Sequence, residues 1–76
     1  MLVNELKNKL DEIGVSQDLY SIMTGGLPNE KLCIVQEEMW QVYYSERGKK
    51  VRQKFFETEE EACEYFYEKL KRYSTI

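Results

Sequence analysis

From Trp40 to Phe56 the chain alternates like a pair of strands, and this stretch constrains the rest of the fold most tightly. Trp40, Val42 and Tyr44 interleave with Gln41, Tyr43 and Ser45, the period of two expected of a strand with one buried face. Arg47-Gly48 then supplies a turn into a second strand-like run, about 50–56. So short a link forces the two runs to pair antiparallel. A hairpin of this size cannot bury its own apolar face. The cover must come from the flanking segments.

Both flanks offer helices. Leu2, Leu6, Leu10 and Ile13 recur at helical spacing and predict a first helix over about 2–13. Gly14 stands where a left-handed cap is expected, with Val15 just beyond it. Downstream, Thr58-Glu59-Glu60-Glu61 matches a capping box, in which the Thr58 hydroxyl and the Glu61 carboxylate satisfy the first turn reciprocally. Ala62, Phe66, Leu70 and Tyr73 form the inward stripe of that second helix, flanked by Cys63 and Tyr67. Lys69, Lys71 and Arg72 suit its C-terminal end.

Between the first helix and the hairpin, 19–23 reads as a short edge strand or as a loop whose aromatic residue plugs the core. Gly25-Gly26-Leu27-Pro28-Asn29 is a concentrated breaker segment, and 31–36 is an apolar run of strand length that turns at Glu37-Glu38. The expected fold is therefore α+β in the order α-(β)-β-β-β-α. It is an antiparallel meander of three to four strands with both helices packed on one face. Seventy-six residues form one domain, 1–76, with a small core and a stability of about 4–11 kcal/mol.

Trp40 is assigned to the core. Tyr43 points to the opposite side of the strand, where it is either an exposed contact or part of a satellite cluster. Arg52 and Lys54 are expected on the wet face of the second strand, with Val51, Gln53 and Phe55 on the other.

The chemistry-bearing residues narrow the function. There is no histidine, so a Ser or Cys nucleophile lacks its usual base. The many carboxylates sit in charged, wet segments where no pKa is tuned for acid–base work. No enzyme is expected, and no cofactor. Cys33 and Cys63, thirty residues apart without a CxxC spacing, read as small buried apolar side chains, because two thiols are too few for a zinc site. The first residues start an amphipathic helix rather than a secretory leader. No apolar run reaches the ~20 residues of a membrane span, so no membrane association and a cytoplasmic location are expected.

The formal charge is −3, unevenly spread. Residues 1–38 hold three lysines against seven acidic groups; residues 39–76 hold eight cations against seven glutamates. An acidic balance argues against nucleic acid as the main partner. Double-stranded RNA-binding domains share an αβββα order, but they grip phosphates at the start of the second helix, where this chain has Glu59-Glu60-Glu61. Arg47, Lys49, Lys50, Arg52 and Lys54 form a basic hairpin beside Tyr43 and Tyr44, which keeps a small nucleic-acid-binding or regulatory adaptor as the alternative. Exposed carboxylates and a large aromatic instead suit a cationic protein partner. By charge and exposure those contacts are Glu37, Glu38, Tyr43, Glu46, Glu57, Glu60 and Glu64.

Three segments carry a family resemblance: Gly25 to Asn29, Trp40-x-Val42-Tyr43-Tyr44-Ser45-Glu46-Arg47-Gly48, and Phe56-x-Thr58-Glu59-x-Glu61-Ala62-Cys63. Over roughly residues 20–70 the chain resembles the small cytosolic immunity proteins of bacterial polymorphic toxin and contact-dependent inhibition systems. The resemblance implies a non-enzymatic inhibitor; separately, a monomer or weak homodimer is expected. It would bind the toxic C-terminal domain of a cognate effector, often a nuclease. No contact residue is transferred by it, because such surfaces vary with the toxin.

Overall fold

A computed structural model describes residues 1–76 as an α+β fold of two helices packed on a four-stranded sheet. Helix α1 covers Val3–Glu12 and α2 covers Glu59–Leu70; the strands are β1 Tyr20–Ile22, β2 Lys31–Gln36, β3 Trp40–Glu46 and β4 Lys49–Phe56. Single 3-10 turns occupy Gln17–Leu19 and Lys71–Tyr73. The strands lie in sheet order β1-β2-β3-β4, and β2, β3 and β4 form the expected antiparallel meander.

The first strand departs from that meander. β1 runs parallel to β2, with Tyr20 opposite Leu32 and Ile22 opposite Ile34, so the sheet is mixed. Parallel neighbours normally need a crossover of a dozen residues or more, whereas eight residues, 23–30, suffice here. A three-residue strand is only ~10 Å long, and eight residues can span at most ~26–29 Å. Positive φ at Met23 (61°), Gly25 (75°), Gly26 (77°) and Glu30 (54°) bends the segment back along the sheet. It crosses the face away from the helices, where the Tyr43 hydroxyl donates to the Gly26 carbonyl at 2.7 Å.

The crossover closes a face that the sequence reading left open. Cys33, Val35 and Tyr43 form a small buried cluster beneath it, and Tyr43 is only 1% exposed. On the helix side, Leu6 and Leu10 of α1 meet Ala62, Cys63, Phe66 and Leu70 of α2 over Ile34, Trp40 and Val42. Tyr20 closes the β1 edge, its ring edge-on to Phe66 with centroids 6.2 Å apart. β3 is thus covered on both sides.

The two helices run side by side in the same direction. The Val3 amide at the start of α1 donates to the Glu59 carboxylate of α2 at 2.8 Å. Past the far end of α1, the Ile13 carbonyl accepts from the Ser74 hydroxyl (2.6 Å) and the Thr75 amide (3.0 Å). The Thr58 hydroxyl accepts from the Glu61 amide at 3.2 Å, the first half of the expected capping box; the Glu61 carboxylate accepts from the Thr58 hydroxyl (3.1 Å) instead of reaching back to the Thr58 amide. Two stripe positions differ from expectation. Leu2 precedes α1 and is 42% exposed. Tyr73 falls in the 3-10 turn, whose tighter winding carries it off the buried stripe to 49% exposure.

A bulge breaks the register between β3 and β4. Val42 pairs with Lys54 but Tyr44 pairs with Val51, so Arg52 and Gln53 together oppose Tyr43. Arg52 adopts φ of 54° at this point. Val51 and Phe55 therefore lie on opposite faces: Val51 beside Tyr44 toward the helices, Phe55 beside Gln41 on the other side and 56% exposed.

Gly14 offers a direct test of the helix clamp. Its φ is 75°, and a Cβ there would overlap the Thr75 hydroxyl, whereas Gly48, with φ of 76°, has nothing near its missing Cβ. Gly48→Ala should cost only the backbone strain, about 1 kcal/mol, and Gly14→Ala about 2–3 kcal/mol. Thermal unfolding reads this as a clearly larger fall in Tm for Gly14→Ala; equal falls would mean that the Thr75 clamp is not formed.

Candidate functional site

The sheet register sorts the candidate residues by position. Trp40 pairs with both Gln36 and Phe56, so the β2–β3 turn and the β4–α2 link lie at the same end. Glu37, Glu38, Glu57 and Glu60 gather there with the first turn of α2, and Glu64 follows one helical turn on. Glu38, Glu57, Glu60 and Glu64 are all exposed. The only ion pair within 4 Å in the molecule joins Lys71 to Glu68, so no cation neutralises this group. Glu37 is partly occupied, accepting from the Gln41 amide at 3.1 Å. Glu46 does not join the others. It pairs with Lys49 at the opposite end of the sheet.

Tyr43 is withdrawn from the surface. Its hydroxyl is committed to Gly26 and the Lys50 ammonium sits 4.5 Å from the ring centroid. Burial, then the neighbouring Cys33, pushes its phenol pKa up to about 12. Tyr43 belongs to the satellite cluster and offers a partner no contact. The basic hairpin is divided as well. Lys50 lies on the crossover side and donates to Gln41 Oε1 at 3.3 Å, as Gln53 does at 2.8 Å. Lys49 and Lys54 pair with Glu46 and Val42 on the helix side, and Arg47 sits in the turn with φ of 52°. The five cations form no continuous stripe.

A concave site that the sequence did not announce lies on the helix side, where α2 runs out over the β3–β4 hairpin. It encloses about 600 Å³. Leu19, Leu32, Val51 and Leu70 contribute its apolar wall, and Tyr44, Tyr65 and Tyr73 its rings. Arg52, Lys69 and Arg72 bring three cations, against Glu30 and Glu46. Lys69 lies 5.2 Å from the Tyr65 ring centroid. The Tyr44 phenol is raised above its ordinary value by burial first, then by Glu30, Glu46 and Tyr73, with Arg52 opposing. Arg52 and Glu46 are candidate contacts from sequence, and Tyr44 stands beside the basic hairpin; Lys69, Leu70, Arg72 and Tyr73 read there only as parts of the second helix. The remaining signal was a second stripe on α2, Tyr65, Lys69 and Arg72, beside the buried one.

Comparisons with family models, with curated proteins and with solved structures found no match to this chain. No helix is long and apolar enough to cross a membrane.

Cys33 and Cys63 are both free and buried, on opposite sides of the sheet. Burial pushes the Cys63 thiol up to about 11 from an ordinary 9, and raises Cys33 as well. Unfolded, these thiols lose their protons near pH 9 while the folded protein retains them. Stability should therefore hold below pH 9 and fall as pH rises toward about 11. Tyr43 extends the same loss toward about 12. Urea unfolding across this range checks the direction, and Cys63→Ala should flatten the slope above pH 9. At pH 7.5 neither thiol should react with a disulfide reagent until the protein is denatured.

Proposed function

We propose that the protein is a non-catalytic binding partner of the immunity type, which holds a bacterial toxin domain inactive in the cytoplasm of the producing cell. The observation that carries this reading is the acidic end of the molecule. Glu38, Glu57, Glu60 and Glu64 are exposed there without a neutralising cation. A toxin that cleaves nucleic acid needs a basic substrate cleft, and an array of carboxylates can occupy it in place of phosphates. The sequence resemblance to polymorphic-toxin immunity proteins points to the same role.

The basic turn at Arg47–Lys49 lies at the other end of the sheet. A toxin docked on the carboxylates would not meet it, which removes an apparent conflict between an acidic inhibitor and a cationic hairpin. A nucleic-acid adaptor built on the 43–54 hairpin has weaker support. Its cations are split between two faces, and Lys50 is already engaged by Gln41 and Tyr43.

Co-expression with the product of the adjacent upstream open reading frame tests the role. A stable complex and restored growth are expected; absence of both removes the reading. Within such a complex, Glu60→Lys with Glu64→Lys should slow association about tenfold at low salt, and the difference should shrink as salt is raised. Lys49→Glu, at the far end, should leave the association rate unchanged.

A further inference from the structure

We propose that the cleft between the end of α2 and the β3–β4 hairpin is a ligand site for a nucleoside monophosphate. Its volume of about 600 Å³ falls within the range of small-molecule sites. Three elements converge on it with one cation each: Arg52 from the β4 bulge, Lys69 from α2 and Arg72 from the 3-10 turn. None of the three has a carboxylate within 4 Å, although Glu30 and Glu46 line the same cleft. Neither guanidinium makes a hydrogen bond within the protein. Planar forks of donors left unused in this way match the oxygens of a phosphate.

The remaining wall sets the rest of the ligand. Tyr44 and Tyr73 present aromatic surface on which a flat base can stack, while Lys69 and Phe56 already pack against the Tyr65 ring. A compact anion would gain nothing from those rings and would be repelled by Glu30 and Glu46. An apolar ligand would leave the Arg52 and Arg72 guanidiniums without a partner. A nucleoside monophosphate separates its charge from its ring and carries ribose hydroxyls that can donate to the two carboxylates. Arg52 is held by a left-handed backbone, φ 54°, which a non-glycine residue adopts at a cost and which is concentrated at ligand-holding positions. The inference is independent of the acidic end, which lies at the opposite pole of the sheet.

Titration of isotope-labelled protein with AMP, GMP, CMP and UMP, followed by amide chemical shifts, tests the site. Saturable shifts are expected at Tyr44, Arg52 and residues 65–73 for at least one nucleotide, with a Kd below about 1 mM. The matching nucleoside alone and inorganic phosphate alone should each bind at least about tenfold more weakly. Arg72 is exposed and outside the core, so Arg72→Gln should weaken binding about fivefold or more with Tm unchanged. Arg52→Gln is the second variant. The inference is overturned by no saturable shift at about 5 mM of any of the four, or by shifts mapping elsewhere. It is equally overturned if phosphate alone binds as well as the nucleotide, or if neither variant changes the affinity.

Discussion

The hydrogen bond from the Tyr43 hydroxyl to the Gly26 carbonyl, 2.7 Å long, fastens the crossover to the sheet. One hydrogen bond of this kind contributes only about 1 kcal/mol, but its position gives it leverage. The segment it holds down seals Cys33 and Val35 from water and returns the chain to the foot of β2, which is what makes β1 a parallel neighbour. Around it, Lys50 caps the Tyr43 ring and reaches Gln41, which in turn binds Gln53 and Glu37. A polar network of linked, mutually satisfied groups holds its geometry better than the same contacts taken singly. The crossover backbone at Gly26 and side chains of β3 and β4 are thereby fixed relative to one another.

Helix direction explains the distribution of charge. Because α1 and α2 point the same way, their positive ends coincide beside the β2–β3 turn and their negative ends beside the hairpin. Glutamates at the former and Lys69, Lys71 and Arg72 at the latter each favour their helix terminus. Choices that stabilise the helices thus also polarise the surface. A carboxylate-rich end suited to a cationic protein and a cation-lined cleft suited to a phosphate arise from a single arrangement, at separate places. Neither obstructs the other.

Local signals were legible in the sequence and distant ones were not. The Thr58–Glu61 cap, the Gly14 stop, the hairpin and the buried cysteines each depend on residues within a few positions of one another or on an unambiguous apolar pattern. The α+β class follows from those. The parallel pairing of β1 could not be read, because nothing in 19–23 states on which side of the sheet the glycine-rich segment returns. The fate of Tyr43 hung on that same choice. Arg52 illustrates a different limit: one residue in a left-handed conformation shifts the alternation of everything after it, so Phe55 moves to the opposite face from Val51. The cleft was hidden because it joins the end of α2 to a hairpin some twenty residues earlier in the chain.

The clamps on α1 bear on how the protein is made. Its start is held by Glu59 and its end by Ser74 and Thr75, so every anchor of the first helix is translated long after the helix itself. Ten residues of free helix are marginal in water, and the apolar stripe of Leu6 and Leu10 emerges from the ribosome with nothing to cover it. Full cover of that stripe needs Ala62, Cys63, Phe66 and Leu70, which follow it by some fifty residues or more. The second helix, and not the sheet alone, therefore completes the shelter of the first.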